Sequence, residues 1–205
     1  MSRAPLILAS ASPRRRELLS WLGLRPPVRP ADVDETANSG ESAPDFVLRM
    51  AREKAHASRA AHRSEAAQAW VLAADTVVVL DDEVLGKPTD RDDARTMLRR
   101  LSGRVHEVLT GTCLLAPGGD EVRCRCVRSE VKFRVVRDDE VEPYLDVAAW
   151  SDKAGGYAVQ GVAAMFIQTI RGSWTNVMGL PLSEVVEDMR EAGAVGPLPV
   201  VEAHG

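Results

Sequence analysis

The 205-residue sequence predicts an α/β protein built on a mixed sheet. Two observations lead there. Short apolar, β-branched runs alternate along the chain with segments whose apolar residues recur at helical spacing, the pattern of sheet and helix layers. Turn-rich junctions at Asp81-Asp82 and Pro117-Gly118-Gly119 also join neighbouring runs, so hairpins interrupt what would otherwise be a purely parallel sheet.

Leu6 to Ala9 reads as a short buried strand. Ser12 suits a helix N-cap and Pro13 the first helical position. Leu18, Leu19 and Leu22 supply that helix with an apolar face, and Gly23 stops it. Arg25 to Gly40, rich in Pro, Asp, Asn and Gly, reads as an irregular connection. A second helix opens at Ser42 with Asp45 as its capping-box partner, buries Phe46, Val47, Met50 and Ala51, and fades near His62. Trp70 to Leu80 is nearly all apolar and suits a central strand covered on both faces.

Beyond the turn at Asp81-Asp82, Glu83 to Gly86 returns as a hairpin, and Thr89 is expected to cap a helix that buries Ala94, Met97, Leu98 and Leu101. His106 to Leu115 and Val122 to Val136 read as two long strands, and Asp138 is expected to cap a helix through Val141, Tyr144, Leu145 and Ala148. Ser151 to Gly156 is a glycine-bearing loop, Ala164 to Ile170 a further strand, and Pro181 opens a last helix with Leu182, Val185, Val186 and Met189 inside. The expectation is one domain over residues 1–195 with a loose tail over 196–205.

Composition narrows the function classes. A hydrophobic share of 45% allows a real core without disulfide staples. The formal net charge of −4 argues against a dedicated nucleic-acid binder, though a local basic pocket for a small anion remains open. Cys113, Cys124 and Cys126 lack the paired spacing of a disulfide framework or a zinc site, so a plain core or surface role is expected for them. The first apolar run is too short for a signal-peptide core or a membrane span, which points to the cytoplasm.

Six segments are candidates for chemistry. In Ser10-Ala11-Ser12-Pro13-Arg14-Arg15-Arg16, three arginines crowd a helix N-terminus, the wrong end for cations unless an anion binds there. The alternative is a solvated basic face. Asp75 interrupts an apolar strand, where a carboxylate is costly unless it is paired or binds metal; a structural hydrogen-bonding role is the alternative. Lys87 in Gly86-Lys87-Pro88, Glu53-Lys54 on the second helix and Asp34-Glu35 in the irregular connection are each weak signals alone, since exposed lysines and loop acids are common. In Asp152 to Gly161, two glycines let a ligand approach the backbone, and the Gln160 amide offers one donor and one acceptor face that match the imide edge of uracil or thymine. A glycine-rich turn with a polar tip is equally consistent with that loop. The chain has no Gly-x-x-x-x-Gly-Lys-Ser/Thr phosphate loop and no Gly-x-Gly-x-x-Gly fingerprint.

These segments, with Ala51-Arg52-Glu53-Lys54-Ala55, Ala74-Asp75-Thr76-Val77-Val78, Met97 to Gly103 and Asn176-Val177-Met178-Gly179-Leu180-Pro181, stand in one order, and that order resembles the Maf family of nucleoside triphosphate pyrophosphatases from Leu6 to about Ala192. The resemblance implies a long twisted mixed sheet flanked by helices, with a cleft between two lobes. It also implies a divalent metal, Mg2+ or Mn2+, and a homodimer as a frequent assembly. It casts Asp75 as catalytic base, Glu35 with Asp75 as metal-holding carboxylates, and Arg15, Lys54 and Lys87 as triphosphate ligands with Ser10 nearby.

Within that family, Arg14, Thr76 and Gln160 match the branch that resembles dTTP/UTP pyrophosphatases. The 7-methyl-GTP branch tends to an aromatic at the first place and a carboxylate at the last, which suits a cationic base. A nucleoside triphosphate is thus the expected partner, with no nucleic acid or membrane. A purine-directed pyrophosphatase and a non-catalytic nucleotide-binding regulator of cell division are the alternatives.

Overall fold

The computed structural model describes residues 4–148 and 150–200. In chain order the elements are β1 (Leu6–Leu8), α1 (Pro13–Ser20), α2 (Ala43–Ala61), α3 (Arg63–Ala66), β2 (Trp70–Leu80), β3 (Glu83–Leu85), α4 (Arg91–Leu101), β4 (Val105–Leu115), β5 (Glu121–Phe133), α5 (Asp138–Val147), β6 (Ile167–Arg171), α6 (Trp174–Met178) and α7 (Leu182–Glu191). The sheet runs β1-β2-β4-β5-β6, with β3 on β2. β1 lies parallel to β2, with Leu8 opposite Leu72. β3 and β6 run antiparallel to β2 and β5, so the sheet is mixed, as the hairpin signals require. No described helix is long and apolar enough to cross a membrane.

The chain divides into two compact units. One gathers the described residues of 1–75, 111–126 and 179–205; the other gathers those of 76–110 and 127–178. β2, β4 and β5 each contribute residues to both, and the first boundary falls at the peptide bond between Asp75 and Thr76.

In the first unit, small side chains set the packing distance. Ala51 and Ala55 of α2 join Ile7, Ala9, Val71, Ala73, Cys113 and Leu115 in one buried cluster. At Gly111 the approach is closer still: a Cβ there would lie 2.2 Å from the Val47 carbonyl oxygen. Only glycine lets the strand come this near the helix backbone. In the same unit the Val200 N–H donates to the Leu22 carbonyl at 2.8 Å. Residues 201–205 of the expected loose tail lie outside the described residues.

The second unit buries larger groups. Phe133, Tyr144, Tyr157 and Phe166 fill a core with Leu98, Leu101 and Val131. His106 joins them at 1% exposure, edge-on to Phe133 and Tyr157, with Nε2 2.6 Å from the Tyr157 hydroxyl. Burial pulls its imidazole down from 6.5 to about 4. Between those values the unfolded chain binds the proton and the folded chain does not. Stability is therefore complete above pH 6.5 and falls as pH drops toward 4, by on the order of 3 kcal/mol from this group. Thermal melts from pH 7 to pH 4 should show that slope, and His106→Gln should flatten it.

Several local expectations are corrected. The cap of α4 is Asp90, not Thr89: its extended backbone aims the carboxylate at the Asp93 N–H, at 2.9 Å. The cap of α5 is Arg137, not Asp138, with the Glu140 carboxylate closing back on the Arg137 N–H at 2.9 Å. The expected strand from Ala164 starts only at Ile167. Residues 161–166 form a 3-10 helix instead, because Ala163 and Phe166, one three-residue turn apart, both point into the core. Ser12 occupies the N-cap of α1 but makes no side-chain cap bond, whereas Ser42 accepts from the Asp45 N–H at 3.3 Å as expected.

Candidate active site

The first unit brings Ser10, Arg15, Glu35, Lys54 and Asp75 together. β1 runs beside β2 and the Ala9 N–H continues the pairing by donating to the Leu72 carbonyl at 2.8 Å. Ser10 follows the end of this pairing, three residues before α1 starts at Pro13. On α1, Arg15 points inward at 9% exposure, a rare position for arginine. Its Nε donates to the Gly179 carbonyl at 2.7 Å and a terminal nitrogen donates to Ser10 Oγ at 2.9 Å. Burial draws this guanidinium below its usual value, while the Asp75 and Glu35 carboxylates oppose that shift and Arg14 adds to it.

Lys54, half-buried on α2, binds two carboxylates at once. Its Nζ lies 2.6 Å from Asp75 Oδ1 and 2.6 Å from Glu35 Oε1. Side-chain exposure is 13% at Asp75 and 50% at Glu35, so one acid is sheltered in the strand and the other faces solvent. Two acids converging on one ammonium, beside a buried guanidinium, concentrate charge of both signs in a small volume. Such a cluster can bind an anionic substrate and accept a proton from a water.

Glu35 sits in the irregular connection, and sequence reasoning missed what holds that segment. Arg49 of α2 donates to the Thr36 carbonyl at 2.9 Å and grips both Glu41 oxygens, each at 2.7 Å. Arg49 pulls the Glu41 carboxyl down to about 2, helped by the Asn38 N–H. The signal available in the sequence was Glu41, Arg49 and Glu53 at spacings that reach one another across a helix start. Gly179, which anchors Arg15, gave no sequence signal beyond its place in a motif.

Thr76, Lys87 and Gln160 belong to the second unit. Thr76 Oγ1 lies 2.9 Å from Thr110 Oγ1, and Thr110 donates to the Asn176 carbonyl at 3.2 Å. The fully buried Asn176 side chain in turn donates to the Val108 carbonyl and to Ser129 Oγ, both at 3.0 Å. Lys87 is exposed after β3, in a loop whose Gly86 carbonyl accepts from the Gly155 N–H at 3.0 Å. That bond joins the Lys87 loop to the glycine-rich loop. Gly155 and Gly156 have φ of 69° and 72°, the left-handed region that favours glycine. Gln160 is half-buried at the end of the same loop. Arg14 is half-buried on α1, in the first unit.

Residues 5–192 match the family described as Maf-like protein. The chain is 47% identical over 190 residues, 93% of its length and 97% of the relative's, to a protein of Geobacter metallireducens named dTTP/UTP pyrophosphatase. Proteins of the same name from Syntrophus aciditrophicus and Anaeromyxobacter dehalogenans are 50% and 51% identical, over 93% and 95% of this chain and 91% and 96% of theirs. A crystal structure of a nucleoside-triphosphatase / dITP/XTP pyrophosphatase from Mycobacterium abscessus is similar at 16% identity and a TM-score of 0.41 over 92% of this chain and 95% of that one, too distant to bear on activity.

Proposed function

The chain belongs to the Maf-like protein family, and we propose that it is a nucleoside triphosphate pyrophosphatase that hydrolyses dTTP and UTP to the monophosphate and pyrophosphate. The observation that carries this reading is the Lys54 ammonium shared by Asp75 and Glu35 next to the buried Arg15. Relatives near 50% identity that carry this substrate pair in their names support the choice of pyrimidine nucleotides.

The residues divide the work as follows. Asp75 is the base: its carboxylate takes a proton from a water as that water's oxygen attacks the α-phosphorus. Its sheltered position fixes the direction of the carboxylate. Arg15 and Lys54 hold phosphate oxygens and stabilise the charge that builds on the departing pyrophosphate. Arg15 is pre-set for this by Ser10 and the Gly179 carbonyl, so little ordering is left for the moment of reaction. The substrate-binding roles offered for Arg14, Thr76, Lys87 and Gln160 rest on the motif positions they share with the family. A neutral amide at Gln160 suits a neutral pyrimidine, and unmatched polar groups would penalise other bases.

Glu35 and Asp75 also fit a divalent cation. One hard oxygen of each lies 2.6 Å from Lys54 Nζ, so the two carboxylates face one another across a short gap, and Mg2+ or Mn2+ is commonly held by one or two carboxylates plus substrate phosphates. When bound, such an ion supplies charge neutralisation on the triphosphate. Arg49 matters here because it fixes the segment that carries Glu35. Arg49→Met should lower activity by about 10–100-fold and raise the Mn2+ concentration needed for half-maximal rate. Steady-state rates over a Mn2+ titration check this. A cytoplasmic setting and a homodimer complete the proposal; sedimentation at working concentration tests the dimer.

A panel of dTTP, UTP, 7-methyl-GTP and purine triphosphates, read by pyrophosphate release, tests the substrate reading. Turnover concentrated on dTTP and UTP supports it. Preference for 7-methyl-GTP would assign the purine-directed alternative, and binding without release would assign a regulator.

A further inference from the structure

We propose that Cys113 and Cys124 form a peroxide-reactive pair that closes into a disulfide, a modification site separate from the acid–base cluster. The two thiols come from neighbouring strands, β4 and β5, and their Sγ atoms stand 2.8 Å apart. Cys113 is fully buried, while Cys124 is partly open to solvent. That asymmetry is the one a reactive thiol and its resolving partner require: one sulfur that an oxidant can reach, and a second already in contact behind it.

The surroundings favour a thiolate on the outer sulfur. Arg52 of α2 interacts with Cys124 and with the Glu121 carboxylate, 3.2 Å from its Nε. The Cys113 hydrogen bond, with Arg52 behind it, holds the Cys124 thiol below its usual value against burial and the Glu121 charge. The same bond and burial push the Cys113 thiol up.

Glu121 lies 3.6 Å from Cys124 Sγ, and the three side chains could hold a metal ion, with His56 Nε2 3.1 Å from the Glu121 carboxylate. Distance decides between the two uses. Two thiolates on one zinc, each about 2.3 Å from it, stand about 3.8 Å apart in a tetrahedral site. The observed separation is well inside that and within about 1 Å of a disulfide bond. Arg52 also opposes a second cation beside Cys124.

The reaction balances with a peroxide as oxidant. The Cys124 thiolate attacks one peroxide oxygen; the O–O bond breaks, giving the sulfenic acid and a hydroxide that takes up the proton released from the thiol. Cys113 sulfur then attacks Cys124 sulfur, its proton leaves with the sulfenic oxygen as water, and the S–S bond forms. The two thiols lose two electrons and the peroxide becomes two waters. No nucleotide takes part, so the outcome is independent of the hydrolase reading.

The test treats the full chain, reduced and desalted, with hydrogen peroxide, and counts thiols under denaturing conditions alongside intact mass and peptide mapping. The expected result is a fall from three titratable thiols to one, a mass lower by two hydrogens, a Cys113–Cys124 linked peptide, and full recovery with dithiothreitol. Cys126→Ser should form the same link, and Arg52→Met should slow it several-fold. Three thiols retained at peroxide levels that oxidise free cysteine would overturn the proposal. So would a link through Cys126, or stoichiometric zinc that must be stripped before any oxidation proceeds.

Discussion

Asp75→Asn is expected to cut pyrophosphate release from saturating dTTP by about 10²–10⁴-fold, with little change in the melting midpoint. The amide matches the carboxylate in size but cannot take the proton from water. The fold should tolerate the change for a reason visible in the site: Lys54 keeps Glu35 as a partner, and Asp75 at 13% side-chain exposure is sheltered without being sealed from water. Initial rates and a thermal melt on the same preparation separate the two effects. Near-normal turnover in the variant would remove Asp75 as the base.

Gly111→Ala is expected to destabilise the chain by about 1–3 kcal/mol or more and to depress activity as well. The added Cβ would meet the Val47 carbonyl oxygen at 2.2 Å, its carbon at 2.4 Å and the Leu48 nitrogen at 2.9 Å. These are backbone atoms, so no rotamer change relieves the clash and α2 itself must move off β4. Because α2 also carries Lys54, an ångström-scale shift would disturb the contact with Asp75, and misplacement of that size can cost about 10²-fold in rate. Denaturant midpoints and steady-state rates check both parts. Gly86→Ala, where nothing lies within 4 Å of the added carbon, is the stability control and should melt near the parent chain.

What the sequence disclosed follows from which forces act locally. Asp75 was legible because a carboxylate in an apolar strand needs a partner, and Lys54 supplies it. The crowded arginines of α1 were legible as an anomaly, but only the tertiary structure singles out Arg15 as the buried one, tied to a carbonyl 164 positions away. Helix and strand identities held wherever apolar spacing ran for three turns or more, as in α2 and α4. They failed at Ala164 to Phe166, where a short apolar stretch fits a tight turn as well as a strand. The clamp of Arg49 on the Glu35 segment was hidden because a salt bridge between helix and loop has no periodic signature. The cysteine pair escaped for a similar reason: its partners meet through strand pairing across a turn, and the spacing resembles no known framework.

In the proposed reaction water attacks the α-phosphorus of dTTP and releases pyrophosphate. Hydrolysis in water enriched in heavy oxygen, with mass analysis of both products, tests it directly. The expected products are dTMP carrying one heavy oxygen and unlabelled pyrophosphate. Label found in the pyrophosphate, or dTDP and orthophosphate as the products, would contradict it.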